Sequence, residues 1–295
     1  MRSTNTHAYA MLIGSMLIFS TIGIFRRYIE MPSAALACAR GLLGAFFLCL
    51  LILLTRKKLA KISFKNLMIY ILCGGFLGTN WMLLFEAYNR TTVATATMCY
   101  YMEPTIVIAL SALIFHERLT LKSIMCAIIS LAGMALVCGI TEQNGFRSDS
   151  DGILFGLSAA FFYAGVVILN KLSPSDDIYG KTVIQLFSAA AILLPYVLLT
   201  EGAAAFHLDG FSWLMVLFVG IVHTGIAYAL YFGSLPYLKA QSIALLSYID
   251  PVGALILSSI ILHESMTPEG MFGAVLIIGA AIANEISLPK RQNRR

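Results

Sequence analysis

Apolar residues in this chain run together instead of alternating with polar ones. Ten long apolar runs can be drawn, at 8–28, 33–55, 64–88, 92–115, 120–141, 152–172, 178–200, 211–234, 239–262 and 267–288. Each is close to the roughly 20 residues a helix needs to cross the hydrocarbon of a bilayer. Hydrocarbon offers the backbone no hydrogen-bond partner, so every run is predicted to be helical. Thr267-Pro268-Glu269 reads as N-cap, first helical residue and acidic second residue, which starts the last helix at 268. The predicted fold is an all-α integral membrane protein with ten transmembrane helices.

Composition agrees. The 295 residues are 59% hydrophobic and 12% charged, with a mean hydropathy of +0.84. A soluble domain needs about 25% charged residues to cover its surface. No polar stretch is long enough for a separate soluble domain. The run at 8–28 could be mistaken for a signal peptide, with Ala35-Leu36-Ala37 as a cleavage site. Arg26 and Arg27 follow it directly and nine more runs come after, so it is read as a first span. The six cysteines all lie in apolar runs without paired or metal-like spacing, and are read as small core or lipid-facing residues.

The net charge of +5 is a topology signal and does not point to nucleic acid. With the N-terminus inside, fifteen of the 20 Lys and Arg fall on inside segments and four outside; Arg40 lies within a span. The positive-inside rule then places both termini in the cytoplasm.

The two halves repeat. YYMEPTIVIALSALIFHERLT (100–120) aligns with SYIDPVGALILSSIILHESMT (247–267): Tyr101 with Tyr248, Glu103-Pro104 with Asp250-Pro251, His116-Glu117 with His263-Glu264, Thr120 with Thr267. Phe85 and Phe232, and Gly78 and Gly225, share the same offset. Each half (1–145 and 146–295) holds five runs. Five is odd, so the second repeat is expected to enter the membrane inverted, the arrangement found in many secondary transporters.

On these residues the chain resembles the drug/metabolite transporter superfamily, in its ten-helix EamA-type branch. The resemblance rests on the acidic-Pro pair in the fourth run of each half and the Glu-x-Leu/Met-Thr turn into the fifth. FEAYNRTT (85–92) and Arg40 within AALACARGLLGA add to it. It covers nearly the whole chain. It implies a small-metabolite transporter, often an amino-acid exporter, with a central cavity lined by both halves, in a bacterial inner membrane. It names no substrate.

Charges inside a span cost about 2.5–3.5 kcal/mol each on insertion scales, so they are the first candidates. Arg40, Glu86, Glu103 and Asp250 lie in or near spans, and His223 can titrate. Glu103 is roughly 16 Å deep by helix rise. Pro104 frees a carbonyl one turn back, so a kink is expected there. Glu103 and Asp250 read either as a substrate or proton site or as scaffold at a broken helix. Arg40 reads as an ion pair with Glu86 or Glu103, or as a fork for a substrate carboxylate. Gly220, His223, Ala227, Tyr231 and Ser234 share one helical face, opposite in the repeat to Gly75, Thr79, Met82 and Glu86. Asn80, Trp81, Tyr100, Tyr163, Gln185, Tyr228 and Tyr248 are further candidates to line a cavity. Glycines within the spans are expected to let helices pack closely. His116-Glu117 lacks the second His of a zinc helix, so Glu117 and Glu264 are expected to cap or brace the next helix.

These residues predict transport of a zwitterion with an apolar part, such as an amino acid, by alternating access. No cofactor and no enzymatic constellation is predicted; the partners are a small-molecule substrate and membrane lipid. A cationic amine, with or without proton coupling, is the alternative. A nucleotide sugar would need several phosphate-binding cations where Arg40 stands alone. The oligomeric state is left open, a monomer included.

Overall fold

The computed structural model describes residues 2–56, 59–116, 120–137, 145–173, 177–238 and 240–285. Among these the chain is helical with no strand. The helices are α1 (Arg2–Ser20), α2 (Ile22–Arg27), α3 (Ser33–Thr55), α4 (Phe64–Arg90), α5 (Val93–Tyr100), α6 (Glu103–Phe115) and α7 (Leu121–Val137). The second half holds α8 (Gly145–Leu172), α9 (Ile178–Thr200), α10 (Gly210–Phe218), α11 (Ala227–Ser234), α12 (Ala240–Ser247), α13 (Ile249–Ile261) and α14 (Pro268–Glu285). A π-helix, Val219–Ile226, joins α10 to α11.

Each apolar run is helical over most of its described residues. Seven helical stretches are long and apolar enough to cross a membrane, and three shorter apolar helices accompany them. Leu199 at 86% and Leu53 at 73% exposure stand on the outer surface among many other exposed aliphatics. A water-facing surface would not carry so many; a lipid-facing one does.

The fourth run of each half breaks where its acidic-Pro pair begins. Pro104 has no N–H for the carbonyl of Tyr100, so α5 ends there and α6 restarts at Glu103. The matching break lies at Tyr248, between α12 and α13. Tyr101 (φ −74, ψ 8) and Tyr248 (φ −73, ψ −6) have nearly the same backbone. The expected kink is thus a full break. His116 and His263 both sit at φ 53, in the left-handed region. Thr120 accepts from the N–H of Ser123, and Thr267 from that of Gly270, each at 3.1 Å. The second bond is the N-cap predicted for α14. The repeat in the sequence is therefore a repeat in the backbone.

Packing interleaves the halves. Helix α4 lies on α8 and α9, while the π-helix and α11 lie on α3 and α1. Equivalent helices also meet, α3 with α9 and α7 with α14, while α5, the counterpart of α12, packs on α13. Between α7 and α14 a Cβ at Gly133 would stand 2.6 Å from the Gly273 carbonyl oxygen, so only glycine permits that approach. Not every glycine serves this end, since nothing lies within 4 Å of where Gly279 would carry a Cβ. Cys38 and Cys73 belong to the main core and Cys99 to a second one; Cys138 lies outside the described residues, as does Glu117.

Candidate functional site

The site is built around Arg40. Helix α3 carries it inward in a lead-in of alanines that let α9 approach; the residue is 4% exposed. Its guanidinium lies 4.1 Å over the Trp81 ring and 5.7 Å from that of Phe85. Its Nε donates to Thr224 Oγ1 at 2.7 Å. Among the described residues no carboxylate comes within ion-pair distance of it, contrary to the expected pairing with Glu86 or Glu103. A cation over a desolvated tryptophan gains about 2 kcal/mol, which does not match the several kcal/mol its dehydration costs.

Glu86 is committed elsewhere. Arg90, one turn on, donates to it at 2.8 Å, and Ser33 Oγ donates to its other oxygen at 2.8 Å. Arg26 joins the same cluster through Ser33 and caps the α2–α3 turn through the carbonyls of Ile29 and Met31. Glu86 thus braces one end of the bundle. Beside it, Glu264 accepts from Arg27 at 2.9 Å, from the Val93 N–H at 2.8 Å and from Ser258 Oγ at 3.0 Å. It therefore caps α5 of the other half; the expectation that it would brace the helix following it is corrected.

Tyrosines gather beside Arg40, and the two acidic residues of the breaks lie near the same tyrosines. Asp250, in the first turn of α13, accepts from Tyr101 Oη at 2.9 Å, a bond between the halves. The Tyr100 and Tyr163 rings are 5.6 Å apart, and both Glu103 and Asp250 act on their hydroxyls electrostatically. Tyr228 stands 6.5 Å from Trp81, and Tyr228 and Tyr231 both lean on Phe232. Tyr100, Tyr163, Tyr228, Tyr231, Glu103 and Asp250 are only half-buried although they sit deep among the helices. Tyr248 is buried at the second break.

Two candidates fall outside this group. Asn80 is fully buried and donates to the Ala159 carbonyl at 2.7 Å, tying α4 to α8. His223 is also fully buried, between the rings of Phe25 and Phe218. The shared face drawn through His223 and Tyr231 assumes an unbroken α-helix. The π-helix changes the angular step, so Tyr231 stays half-buried while His223 is fully buried. Its Nε2 lies 2.8 Å from Thr21 Oγ1, which gives its single proton to the Ile18 carbonyl at 2.7 Å. The hydroxyl must then accept, so Nε2 carries the proton and Nδ1 keeps a lone pair, buried without a partner. Sequence reasoning missed Thr21, Thr224 and Tyr101 as site residues: each is a neutral side chain whose partner lies far along the chain.

A cavity of ≈ 430 Å³ opens on the outer face between α13 and α14, walled by Val252, Ile256, Met271 and Val275. It holds none of the candidates.

A helical bundle with exposed aliphatic faces, backbone breaks at repeated positions and a buried cation among aromatic rings fits a membrane transporter. The EamA-like transporter family matches residues 6–139 and again 150–284. The chain belongs to that family, as the resemblance implied. A transporter of Bacillus subtilis (strain 168), YxxF, named uncharacterized, is 32% identical over 285 residues, 96% of this chain and 90% of its own. The inner membrane transporter YicL of Salmonella typhimurium (strain LT2), also named uncharacterized, is 25% identical over 100% of this chain and 99% of its own. A protein of the same Salmonella strain named a probable amino-acid metabolite efflux pump is 29% identical over 63% of this chain and 65% of its own. One solved crystal structure shares the fold, with a TM-score of 0.65 at 20% identity over 95% of this chain and 97% of that one.

Proposed function

We propose that this protein is a secondary transporter that exports an amino acid or related zwitterion by alternating access. Ten spans form two inverted five-helix repeats, 1–145 and 146–295, in a bacterial inner membrane with both termini cytoplasmic. Arg40 takes the substrate carboxylate. Asp250 and Glu103 attract its ammonium, and Trp81, Tyr100, Tyr163, Tyr228 and Tyr231 surround its apolar part. No cofactor and no covalent chemistry are needed. The observation that carries this reading is a buried guanidinium with no carboxylate of its own among the described residues. A cation left in that state is held for an anion that comes and goes. The name of the Salmonella relative, a probable amino-acid metabolite efflux pump, supports the substrate class.

The test is counterflow in liposomes with labelled amino acids and amines, with and without a pH gradient. Exchange of an amino acid, lost in Arg40→Gln, upholds the reading. Exchange of amines alone, insensitive to Arg40→Gln but lost in Asp250→Asn, favours the second reading, a cationic-amine transporter. That reading draws on Asp250 and Glu103 among the tyrosines.

A further inference from the structure

Thr224 is fully buried on the π-helix and touches Arg40 by one hydrogen bond. Its place is fixed tightly. A Cβ at Gly44 of α3 would overlap the Thr224 methyl, so the π-helix and α3 meet as closely as glycine allows. The preceding residue, His223, reaches the other way, to Thr21 at the junction of α1 and α2. Two consecutive side chains on one π-helical turn thus grip two different elements. The π-helix is a local departure from α-geometry, and such departures collect at functional sites.

Arg40 has a long stem with several rotatable bonds, and it is useful to a carboxylate only when its fork points the right way. The contact with Trp81, 4.1 Å from guanidinium carbon to ring centroid, is not directional and leaves the fork free to turn. The bond from Nε to Thr224 removes that freedom and leaves the two terminal nitrogens as the outward edge. Nε is the nitrogen that a side-on carboxylate would otherwise share, so spending it on Thr224 selects the end-on, two-nitrogen approach.

We infer that Thr224 is the positioning residue that aims Arg40 at the substrate carboxylate, and that the His223–Thr21 bond anchors the turn that carries it. This rests on the reading of Arg40 as the carboxylate site. Thr224 is too buried to touch substrate, so it acts only through Arg40.

The experiment is counterflow with the full protein in liposomes, using the twenty amino acids and their C-terminal amides, which keep the ammonium and side chain but lose the carboxylate. The probe is the best-exchanged amino acid with its amide. Thr224→Val is expected to raise the apparent KM for the acid about tenfold, to leave the amide unchanged and to keep the maximal rate within about twofold. Thr224→Ser, which keeps the acceptor, is expected to behave as wild type. Thr21→Val should shift the acid in the same direction by about threefold, and it decides the matter if Thr224→Val does not fold. A folded Thr224→Val that alters acid and amide equally, or neither, overturns the inference. If Arg40→Gln erases the preference for acid over amide and Thr224→Val does not, the inference fails and the function stands. If Arg40→Gln leaves that preference intact, or no amino acid is exchanged by folded protein, both fall.

Discussion

Trp81 and Tyr228 are 147 residues apart in the chain and 6.5 Å apart in space, their rings tilted by 51°. The same offset relates Glu103-Pro104 to Asp250-Pro251 and His116 to His263. Two positions equated by an internal repeat can touch each other only close to the axis that relates the repeats. In the proposed arrangement of two inverted repeats, the axis therefore passes beside Arg40, which lies on Trp81. Arg40 has no charged equivalent: the offset leads to Phe187. The proposed scaffold of two repeats thus carries an asymmetric charge near its axis, the place where the proposed alternating-access cycle meets its substrate from both sides.

The protein has two tryptophans, Trp81 and Trp213. In Trp213→Phe the emission reports Trp81 alone, 4% exposed and stacked under Arg40. Titration with the transported compound is expected to change its intensity saturably, and Arg40→Gln is expected to remove the change. An unaltered spectrum under conditions of active exchange would place the ligand away from Trp81.

The same geometry makes lysine a poor replacement for Arg40. An ammonium can lie over Trp81, but it cannot bond Thr224 and present two further donors in one plane. Arg40→Lys and Arg40→Gln are both expected to raise the apparent KM for an amino acid by about tenfold or more, since hydrogen bonds to charged groups contribute about 1.5–3 kcal/mol. Counterflow kinetics check this. Near-wild-type behaviour of Arg40→Lys would mean that charge alone suffices.

Much of this could be read from the sequence, and what could not has physical causes. The spans show because lipid requires long apolar runs, and the repeat shows because acidic-Pro and His-Glu pairs are conspicuous against such runs. Arg40 stands out for the same reason. Its partner does not, because Thr224 is neutral, lies 184 residues away, and sits on a turn whose π-geometry no apolar period records. In the sequence Glu86 is one of two carboxylates within reach of Arg40, while in the structure Arg90, one helical turn away, holds it. Glu264 looked local and instead reaches the other half.

Glu264 allows an ordering of variants. Its ion pair with Arg27 is partly exposed, with side chains 12% and 32% accessible, and contributes at most about 1 kcal/mol after solvent screening. Its bond from the buried Val93 N–H is worth more to keep. Glu264→Gln retains an acceptor there and is expected to cost less than about 1 kcal/mol. Glu264→Ala leaves the N–H and Ser258 unpaired and should cost about 1–3 kcal/mol. Thermal melts in detergent should rank wild type, Gln and Ala in that order. Equal losses would assign the effect to the ion pair.

Gly133 tests the contact of α7 with α14. A methyl there would meet the Gly273 carbonyl at 2.6 Å, the Ile277 side chain at 3.0 Å and the Leu276 side chain at 3.0 Å. The first of these is backbone and cannot rotate away, so the helices must separate. Gly133→Ala is expected to destabilise the protein by about 1–3 kcal/mol, as overpacked cores do, despite alanine's better helix propensity. Gly279→Ala, where nothing lies within 4 Å, should be neutral or slightly stabilising. Melting both variants side by side separates the packing cost from the backbone effect, because the two substitutions share the second and differ in the first.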